Sequence, residues 1–333
     1  MTRAYQINKE KKAKRKAVFR YIRIFLTTFV VTVLIICLSG VALIRFGAFP
    51  EIKKIIVESA MTTLNHKYIA KIFATDKEIA AIMDSGKIDD TFENTDIASI
   101  HPVEKPTDDI QLIPIKGSTY KGYILSVKDP SRVDIGVSTG LGSSGMKVED
   151  IVKQYNAIGG INAGGFDDPE GKGKGGVPVD LLIRDGKILN IDRTNSHFLI
   201  GFNNNNILTL GNYTTQQIKD MKLRCAVSFR PFLVINGKPT IKSGDGGWGI
   251  APRTAIGQKA DGTVLLLAID GRQLGSLGAS LKDVQDIMLE YGALNAANLD
   301  GGSSTTLIYN NEVVNSPCSK YGARYVPSAF IVK

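Results

Sequence analysis

The sequence has 333 residues, 43% hydrophobic and 22% charged, which excludes a collagen-like or disordered chain and leaves room for one large domain with extra segments or for two domains. The formal net charge is +9, but residues 1–23 contain nine Lys/Arg and one acid, so the remaining 310 residues carry only +1. The basic character therefore belongs to this tail, and no nucleic-acid partner is predicted for the rest of the chain.

Residues 24–44 form an uncharged, mostly apolar run of 21 residues directly after the basic tail. About 20 apolar residues are enough to cross a bilayer, and a Lys/Arg excess on one side of a span marks its cytoplasmic end. The run is longer than the apolar core of a signal peptide, which has about 7–15 residues. We therefore predict a single-pass signal anchor in the cell membrane, with a cytoplasmic tail and an extracellular C-terminal domain. A cleaved signal peptide is the alternative.

Residues 45–109 are predicted to form a helical stalk and a linker. Apolar residues recur at helical spacing through residues 51–85. Residues 86–109 are polar and irregular, with Gly86 and Pro106 among them, which is typical of a connecting segment.

From residue 110 onward, short β-rich runs alternate with glycine turns up to the C-terminus. The strands are predicted at 122–127, 133–137, 181–183, 197–202, 232–235, 264–269, 305–309 and 329–332. Two main helices interrupt them, at 147–155 and 281–291, and the second has Ser280 as its N-cap and Gly292 after its end. We predict an α+β domain over residues 110–333, with a mixed, mostly antiparallel sheet and these two helices.

The residues that could take part in binding or catalysis fall in four polar turns, at 162–168, 252–257, 270–272 and 300–304. Asp270 and Asp300 both end apolar segments of the kind that bracket a strand–helix–strand unit. If those two strands are neighbours in the sheet, the carboxylates face one cleft. A carboxylate pair in that position suits glycosyl transfer or hydrolysis, where one supports the cationic sugar and the other handles a proton or water.

Each of these turns also has a structural interpretation. Arg253 could pair with an acid at the surface, Asp270 could belong to an ordinary turn, and Asn162 could cap local backbone. Zinc and nucleotide chemistry are poorly supported, because the sequence contains no HExxH, Cys/His cluster or P-loop. Ser303 and Ser304 lack a plausible histidine partner, which disfavours a serine-hydrolase triad.

Four segments occur in the order INAGGF (161–166), RTAIG (253–257), DGR (270–272) and NLDGGSS (298–304). Together they resemble the phosphodiester glycosidase family. Arg230, before the hairpin at 232–238, and Arg324, near the C-terminus, also fit this pattern. The resemblance covers residues 113–333 and leaves out the tail, the span and the stalk.

This resemblance implies hydrolysis of a sugar C1–O–phosphate bond. Arginine forks hold phosphate well, and Arg253, Arg230 and Arg324 are the candidates, with Arg253 placed among the catalytic residues. For the carboxylate that supports C1 or activates water, Asp300 is the first choice and Asp270 the second. The other predicted substrate-binding residues are Asn162, Gly164, Gly165, Asp167, Arg272, Gly301, Gly302, Ser303 and Ser304.

The predicted protein is thus a membrane-anchored hydrolase outside the cytoplasm, which cleaves sugar-1-phosphodiesters in cell-envelope or exopolysaccharide glycans. The alternative is a non-catalytic glycan-binding or assembly protein of the envelope. The expected partners are a phosphate-containing glycan and, through residues 24–44, the membrane. No cofactor is predicted to be required, although a divalent cation at Asp167 and Asp168 stays open. So does a disulfide between Cys225 and Cys318.

Overall fold

The computed structural model describes residues 3–63, 66–85, 88, 92–102, 107–169, 173–319 and 322–333. Its first element is a single helix, α1 (Arg3–Arg45). Within it, Lys14–Arg45 is long and apolar enough to cross a membrane, and its most apolar stretch is not buried against the rest of the structure. At its C-terminal end, the Arg45 guanidinium donates to the carbonyls of Lys71 and Ile72. This finding agrees with the predicted span at 24–44. A signal sequence near an N-terminus passes the same test of length and composition.

Three short helices follow: α2 (Pro50–Met61), α3 (Lys67–Phe73) and α4 (Asp76–Ser85). They bury a small core of their own, made of Val57, Ala60, Ala70, Ala74 and Ile79. The helical interpretation of residues 51–85 is therefore correct. Of the predicted linker, Gly86 and Pro106 lie outside the described residues.

These helices and the segment that follows them also contact the body of the protein. In α2, the Ser59 hydroxyl accepts a hydrogen bond from the N–H of Ile250 at 2.9 Å. Further along, the N–H groups of Thr95 and His101 donate to carbonyls of the body at 2.9 and 2.8 Å. The predicted boundary at residue 110 therefore cuts through a set of contacts.

The rest of the described chain forms nineteen strands and three helices. The strands are β1 (Ile110–Lys116), β2 (Lys121–Val127), β3 (Val133–Val137), β4 (Met146–Lys147), β5 (Gly159–Asn162), β6 (Leu182–Arg184), β7 (Lys187–Asn190), β8 (His197–Phe202), β9 (Leu208–Tyr213), β10 (Cys225–Ser228), β11 (Phe232–Ile235), β12 (Lys238–Pro239), β13 (Arg253–Lys259), β14 (Val264–Ile269), β15 (Ala293–Leu299), β16 (Leu307–Tyr309), β17 (Glu312–Val313), β18 (Tyr325–Val326) and β19 (Ser328–Val332). The helices are α5 (Val148–Gln154), α6 (Thr215–Met221) and α7 (Leu281–Glu290).

The strands form three main sheets in which neighbouring strands run antiparallel. The largest sheet has seven strands in the order β1-β2-β14-β13-β15-β11-β12. The other two have five strands each, in the orders β7-β6-β10-β8-β9 and β17-β16-β5-β19-β3, and β18 pairs with β4. The largest buried core is shared by all three sheets, and it includes Leu125, Ile161, Phe202, Leu266 and Phe330.

Each helix covers one sheet. Residues of α7 pack on the outer face of the seven-stranded sheet, because Val284 and Met288 join Ile124 and Leu267 in one apolar cluster. In the same way, α5 packs against β19 and α6 against β8 and β10. The expected α+β fold with a mostly antiparallel sheet is confirmed. Helix α6, which was not predicted, is an addition to the two expected helices.

Candidate active site

The site lies along one edge of the seven-stranded sheet, formed by the ends of its strands. Three central strands, β13, β14 and β15, meet there, because neighbouring strands run in opposite directions. Strand β13 runs between β14 and β15 and is antiparallel to both, with Arg253 opposite Ile269 and Thr254 opposite Leu299. The first residue of β13 is therefore next to the last residues of β14 and β15. As a result, Arg253, Asp270 and Asp300 share one edge. The condition that β14 and β15 are neighbours is not met, because β13 separates them.

The backbone of Asp300 is fixed by the end of β5. Its N–H donates to the carbonyl of Ala163 at 3.1 Å, and the Asn162 amide donates to its carbonyl at 2.5 Å. The Asn162 oxygen in turn accepts from the Thr254 hydroxyl and the Thr306 N–H, both at 3.1 Å. Asn162 was predicted to bind sugar hydroxyls or phosphate. In the structure it is fully buried and holds Asp300 in place.

The carboxyl group of Asp300 has the chemistry expected of a catalytic acid–base group. Burial raises its pKa to about 6, and the nearby Asp168 adds to this rise. A hydrogen bond from Ser304 and the positive charge of Arg324 act in the opposite direction. A carboxyl group with this pKa changes its charge close to neutral pH, which is a frequent property of catalytic groups.

The glycines after Asp300 allow the chain to turn tightly against Pro252. A side chain on Gly301 would bring a Cβ within 2.8 Å of the Pro252 carbonyl. The N–H of Gly302 donates to that same carbonyl at 2.9 Å, and Gly302 has a φ of +62°, which favours glycine. A 3₁₀ turn over Gly302–Ser304 then carries Ser303, which is half-buried, and Ser304.

Arg272 is the arginine that faces this loop from outside. It has a φ of +58°, its side chain is exposed, and its guanidinium lies 3.5 Å from the Cβ position that Gly302 leaves empty. A larger residue at 302 would thus meet the guanidinium. An exposed guanidinium over a glycine turn is well placed to bind a phosphate oxygen.

Arg324 contributes positive charge from the C-terminal segment. Its guanidinium donates to the Asp168 carboxylate at 2.5 Å and lies 5.5 Å from the centre of the Phe166 ring. The other Asp168 oxygen accepts from the N–H of Gly173 at 2.7 Å. This pair joins the predicted turn at 162–168 to Arg324, and it was not foreseen from the sequence.

Arg253 is not in a turn, because it is the first residue of β13, and it is only 4% exposed. Its guanidinium donates to the Ala279 carbonyl at 3.0 Å and to the carbonyls of Trp248 and Gly249 at 3.0 and 2.6 Å. Burial, together with the charge of Arg272, lowers its pKa to about 10, so it stays charged at neutral pH. The surface ion pair considered as an alternative is wrong. The observed contacts give Arg253 a structural role, and its contact with phosphate stays a prediction.

Asp270 is 8% exposed, and one of its carboxylate oxygens holds the loop at residues 315–316. That oxygen accepts from the Asn315 amide at 3.1 Å and from the Ser316 N–H at 2.7 Å. Burial raises its pKa. These contacts match a positioning role at least as well as a catalytic one.

The glycines after Asn162 pack against β10 and the residues that follow it. A Cβ on Gly164 would lie 3.0 Å from the Val227 side chain, and one on Gly165 would lie 3.1 Å from the Phe229 ring. Asp167 is exposed beyond them. Among the residues that the structure describes, no group of three His, Cys, Asp or Glu could hold a metal ion. The divalent cation at Asp167 and Asp168 stays a prediction.

Arg230 is exposed next to this region, and its guanidinium lies 5.7 Å from the centre of the Phe198 ring.

The sequence analysis missed a polar network that lies largely in the interior. In this network Asp180 bonds His197 and accepts from the Ser228 hydroxyl at 2.7 Å. The serine contacts the aspartate and not the histidine, so this is no catalytic triad. Cys225 and Cys318 are free thiols.

Comparisons with known proteins assign the chain to a family. The profile of the phosphodiester glycosidase family matches residues 155–333, which include every predicted site residue. The chain belongs to the phosphodiester glycosidase family. The family resemblance expected from the four motifs is therefore confirmed.

The curated relatives match over short segments. A stretch of 65 residues is 40% identical to the SPbeta prophage-derived uncharacterized protein YomE of Bacillus subtilis, and it covers 20% of this chain and 10% of that protein. A stretch of 68 residues is 37% identical to the N-acetylglucosamine-1-phosphodiester alpha-N-acetylglucosaminidase of Bos taurus, covering 20% of this chain and 13% of that protein. The chain thus aligns with only about a tenth of the length of these relatives.

A solved structure supports the fold over a much larger part of the chain. The catalytic domain of zebrafish N-acetylglucosamine-1-phosphodiester alpha-N-acetylglucosaminidase, auto-inhibited by its pro-peptide, superposes with a TM-score of 0.60 and 22% identity. The match covers 72% of this chain and 87% of that one. At this identity, the match shows a shared fold.

Proposed function

We propose that this chain is a hydrolase that cleaves the C1–O–phosphate bond of a sugar-1-phosphodiester. The observation that carries the proposal is Asp300. It is a carboxyl group with a pKa raised to about 6, fixed at a sheet edge by Asn162 and Ala163. The exposed guanidinium of Arg272 lies against the next turn of the same loop. The family membership and the activity named for the mammalian relatives favour the same reaction.

The chemistry follows from the leaving group. Water adds its oxygen to C1, the C1–O bond breaks, a phosphate monoester leaves with the bonding electron pair, and one proton of the water passes to a base. Because the monoester leaves as a stable anion, it needs little protonation. Arg272 and Arg324 then favour departure by pairing with the charge on phosphate. In its ionised form, Asp300 accepts the water proton or stabilises the cationic C1.

The location of the reaction is part of the same proposal. Helix α1 anchors the chain through residues 24–44, with residues 1–23 in the cytoplasm and the catalytic domain outside. The substrate is then a cell-envelope or exopolysaccharide glycan that carries a sugar-1-phosphate linkage. Protease added to cells without their wall should digest the C-terminal domain and leave the tail intact. Protection of the C-terminal domain would contradict this orientation.

The activity is tested by offering the purified protein a panel of sugar-1-phosphodiesters and measuring the reducing sugar released. The Asp300→Asn variant should lose about 10²–10⁴-fold in kcat, which is the usual contribution of a general acid–base group, while it still binds the substrate. The matched control is Asp192→Asn, because Asp192 is an exposed carboxylate outside the site. A wild-type protein that binds these diesters without any turnover would be the glycan-binding protein of the alternative interpretation.

A further inference from the structure

A short hairpin next to the site displays two leucines to solvent. Between Asp270 and Ala279, the N–H groups of Gln273 and Ser276 each donate to the other's carbonyl at 3.1 Å. This leaves Leu274 and Gly275 at the tip, and Gly275 has a φ of +83°. Leu274 has a relative exposure of 105% and Leu277 of 61%.

The hairpin is held firmly in its position. The Ser276 hydroxyl donates to the Asp270 carbonyl at 2.7 Å, and the Gln273 amide donates to the Ser316 carbonyl at 2.9 Å. The N–H of Leu277 donates to the Thr119 carbonyl at 2.7 Å. The leucines are therefore presented by an ordered hairpin, and their exposure is a property of the folded protein. Leu274 and Leu277 are three residues apart, and the fixed turn keeps both side chains available for contact with an apolar group.

The hairpin also begins with the arginine of the site. Arg272 directly precedes Gln273, and its guanidinium lies against Gly302, two residues after Asp300. A phosphate held by Arg272 would thus lie close to the loop that follows Asp300, and the arginine that holds it belongs to the leucine hairpin. In a phosphodiester, the sugar occupies one side of the phosphate and the alcohol of the leaving group the other.

A chain of contacts connects this hairpin to the membrane end of the protein. Ala279, at its far end, pairs with Ala251, and the preceding residue, Ile250, donates to Ser59 of α2. At the start of α2, the Lys53 ammonium donates to the carbonyl of Arg45, where α1 ends. Helix α2 has 12 residues and is therefore about 18 Å long. The base of the leucine hairpin is thus linked through Ile250 and α2 to the end of the predicted span.

We propose that the alcohol of the leaving group is a long apolar chain, so that the substrate is a sugar phosphodiester of a membrane-resident alcohol. The proposal rests on the proposed hydrolase function. Leu274 and Leu277 contact the first methylenes after the phosphate, and Arg272 pairs with the phosphate itself. Water attacks C1, the C1–O bond breaks, and the alkyl phosphate monoester leaves while its chain stays in the bilayer.

The test compares two substrates that carry the same sugar, a methyl phosphodiester and a decyl phosphodiester, both below micellar concentration. The full chain is used in detergent micelles, and kcat/KM is measured for each substrate. A buried methylene is worth about fourfold in binding, so contact with two or three methylenes predicts a preference of about 15- to 60-fold for the decyl diester. In the double variant Leu274→Ser, Leu277→Ser, this ratio should fall to within a few-fold of one.

Leu189→Ser is the matched control, because Leu189 is an exposed leucine on β7 and lies in a different sheet. It should keep the wild-type ratio. Partition of the decyl chain into the micelles is the same for all three proteins, so the difference in ratio between this control and the double variant measures the contact with Leu274 and Leu277. Equal use of both diesters by the wild type, or an unchanged ratio in the double variant, would overturn the apolar subsite and leave the hydrolase function intact. Failure to hydrolyse either diester would instead contradict the hydrolase function.

Discussion

Substitution of Arg253 by lysine separates a structural role from a role in binding phosphate. The Arg253 guanidinium donates hydrogen bonds to the carbonyls of Trp248, Gly249 and Ala279, at distances of 2.6 to 3.0 Å. These carbonyls lie on two separate segments of chain, and the planar fork of arginine spans both. A lysine ammonium is a point charge on a flexible stem, so it keeps one group of contacts at most.

The expected loss of stability in Arg253→Lys follows from the number of carbonyls left without a hydrogen-bond donor. Each buried polar group without a partner costs about 1–3 kcal/mol, so the loss of one or two of these bonds predicts a destabilisation of about 2–4 kcal/mol. For a domain of this size, that corresponds to a fall in melting temperature of about 5–15 °C. Thermal melts of wild type and Arg253→Lys, with Arg272→Lys as control, measure the effect. The control residue is exposed, so its melt should change little.

A different outcome would refute this reasoning. If Arg253→Lys melts within a degree of the wild type and loses most of its turnover, the guanidinium contacts phosphate, as the sequence predicted. The carbonyl bonds would then contribute little to stability. A variant with a much lower melting temperature that keeps kcat at low temperature would confirm the structural role.

The remaining predictions concern the site, the contact with α2 and the domain boundary. Asp300 should give kcat/KM an acid limb near pH 6, falling about tenfold per pH unit below it, because the carboxylate is the active form; a pH profile without this limb contradicts the assignment. Arg272→Gln should lower kcat about 10²–10³-fold with little change in the melt, because the side chain is exposed. Burial raises the pKa of Glu58 to about 8 from an ordinary value of 4.5, so the wild type should lose stability as the pH rises from 4.5 through 8; melts of Glu58→Gln should lack this loss. A fragment of residues 92–333 should melt higher than one of residues 110–333, because Phe92 packs against two rings of the body; equal melts would place the boundary at residue 110.

The fold could be predicted from the sequence where the signals are local. Helix α7 starts at Ser280 with a capping box to Asp283, and runs of β-branched and apolar residues mark most of the predicted strands. Helix α6 has a capping box too, between Thr214 and Gln217. However, it is only seven residues long and buries a single residue, so its apolar pattern is too weak to detect.

Strand β15 was foreseen only as an apolar segment that ends at Asp300, and it was not among the strands predicted with bounds. Its sequence, ALNAANL, is rich in Ala and Asn, which are uncommon in strands. It is a strand because it lies between β13 and β11, where six of its seven residues are buried. Tertiary contacts therefore decide the conformation of the strand that carries Asp300, and no local pattern in the sequence reports them.

The composition of the loop at 300–304 pointed to the site, but the partners of its residues could not be read from the sequence. Arg324 and Asp168 are 156 positions apart along the chain, and only the fold brings them together. Asp180, His197 and Ser228 likewise lie on three different segments of the chain, and Asp180 contacts both of the other residues. Contacts between residues so far apart in the chain produce no motif of fixed spacing, so a single sequence does not reveal them.

The structure also bears on why one carboxyl group can be enough for this reaction. One oxygen of Asp270 accepts two hydrogen bonds from the loop at 315–316, whereas burial raises the pKa of Asp300 to about 6. Ordinary glycosides need a second carboxyl group, because an alkoxide leaves only when it is protonated. A phosphate monoester leaves as an anion, and the guanidinium of Arg272 can stabilise it without transferring a proton. Pairing one carboxylate with the exposed Arg272 and the half-buried Arg324 therefore favours phosphodiesters over plain glycosides of the same sugar.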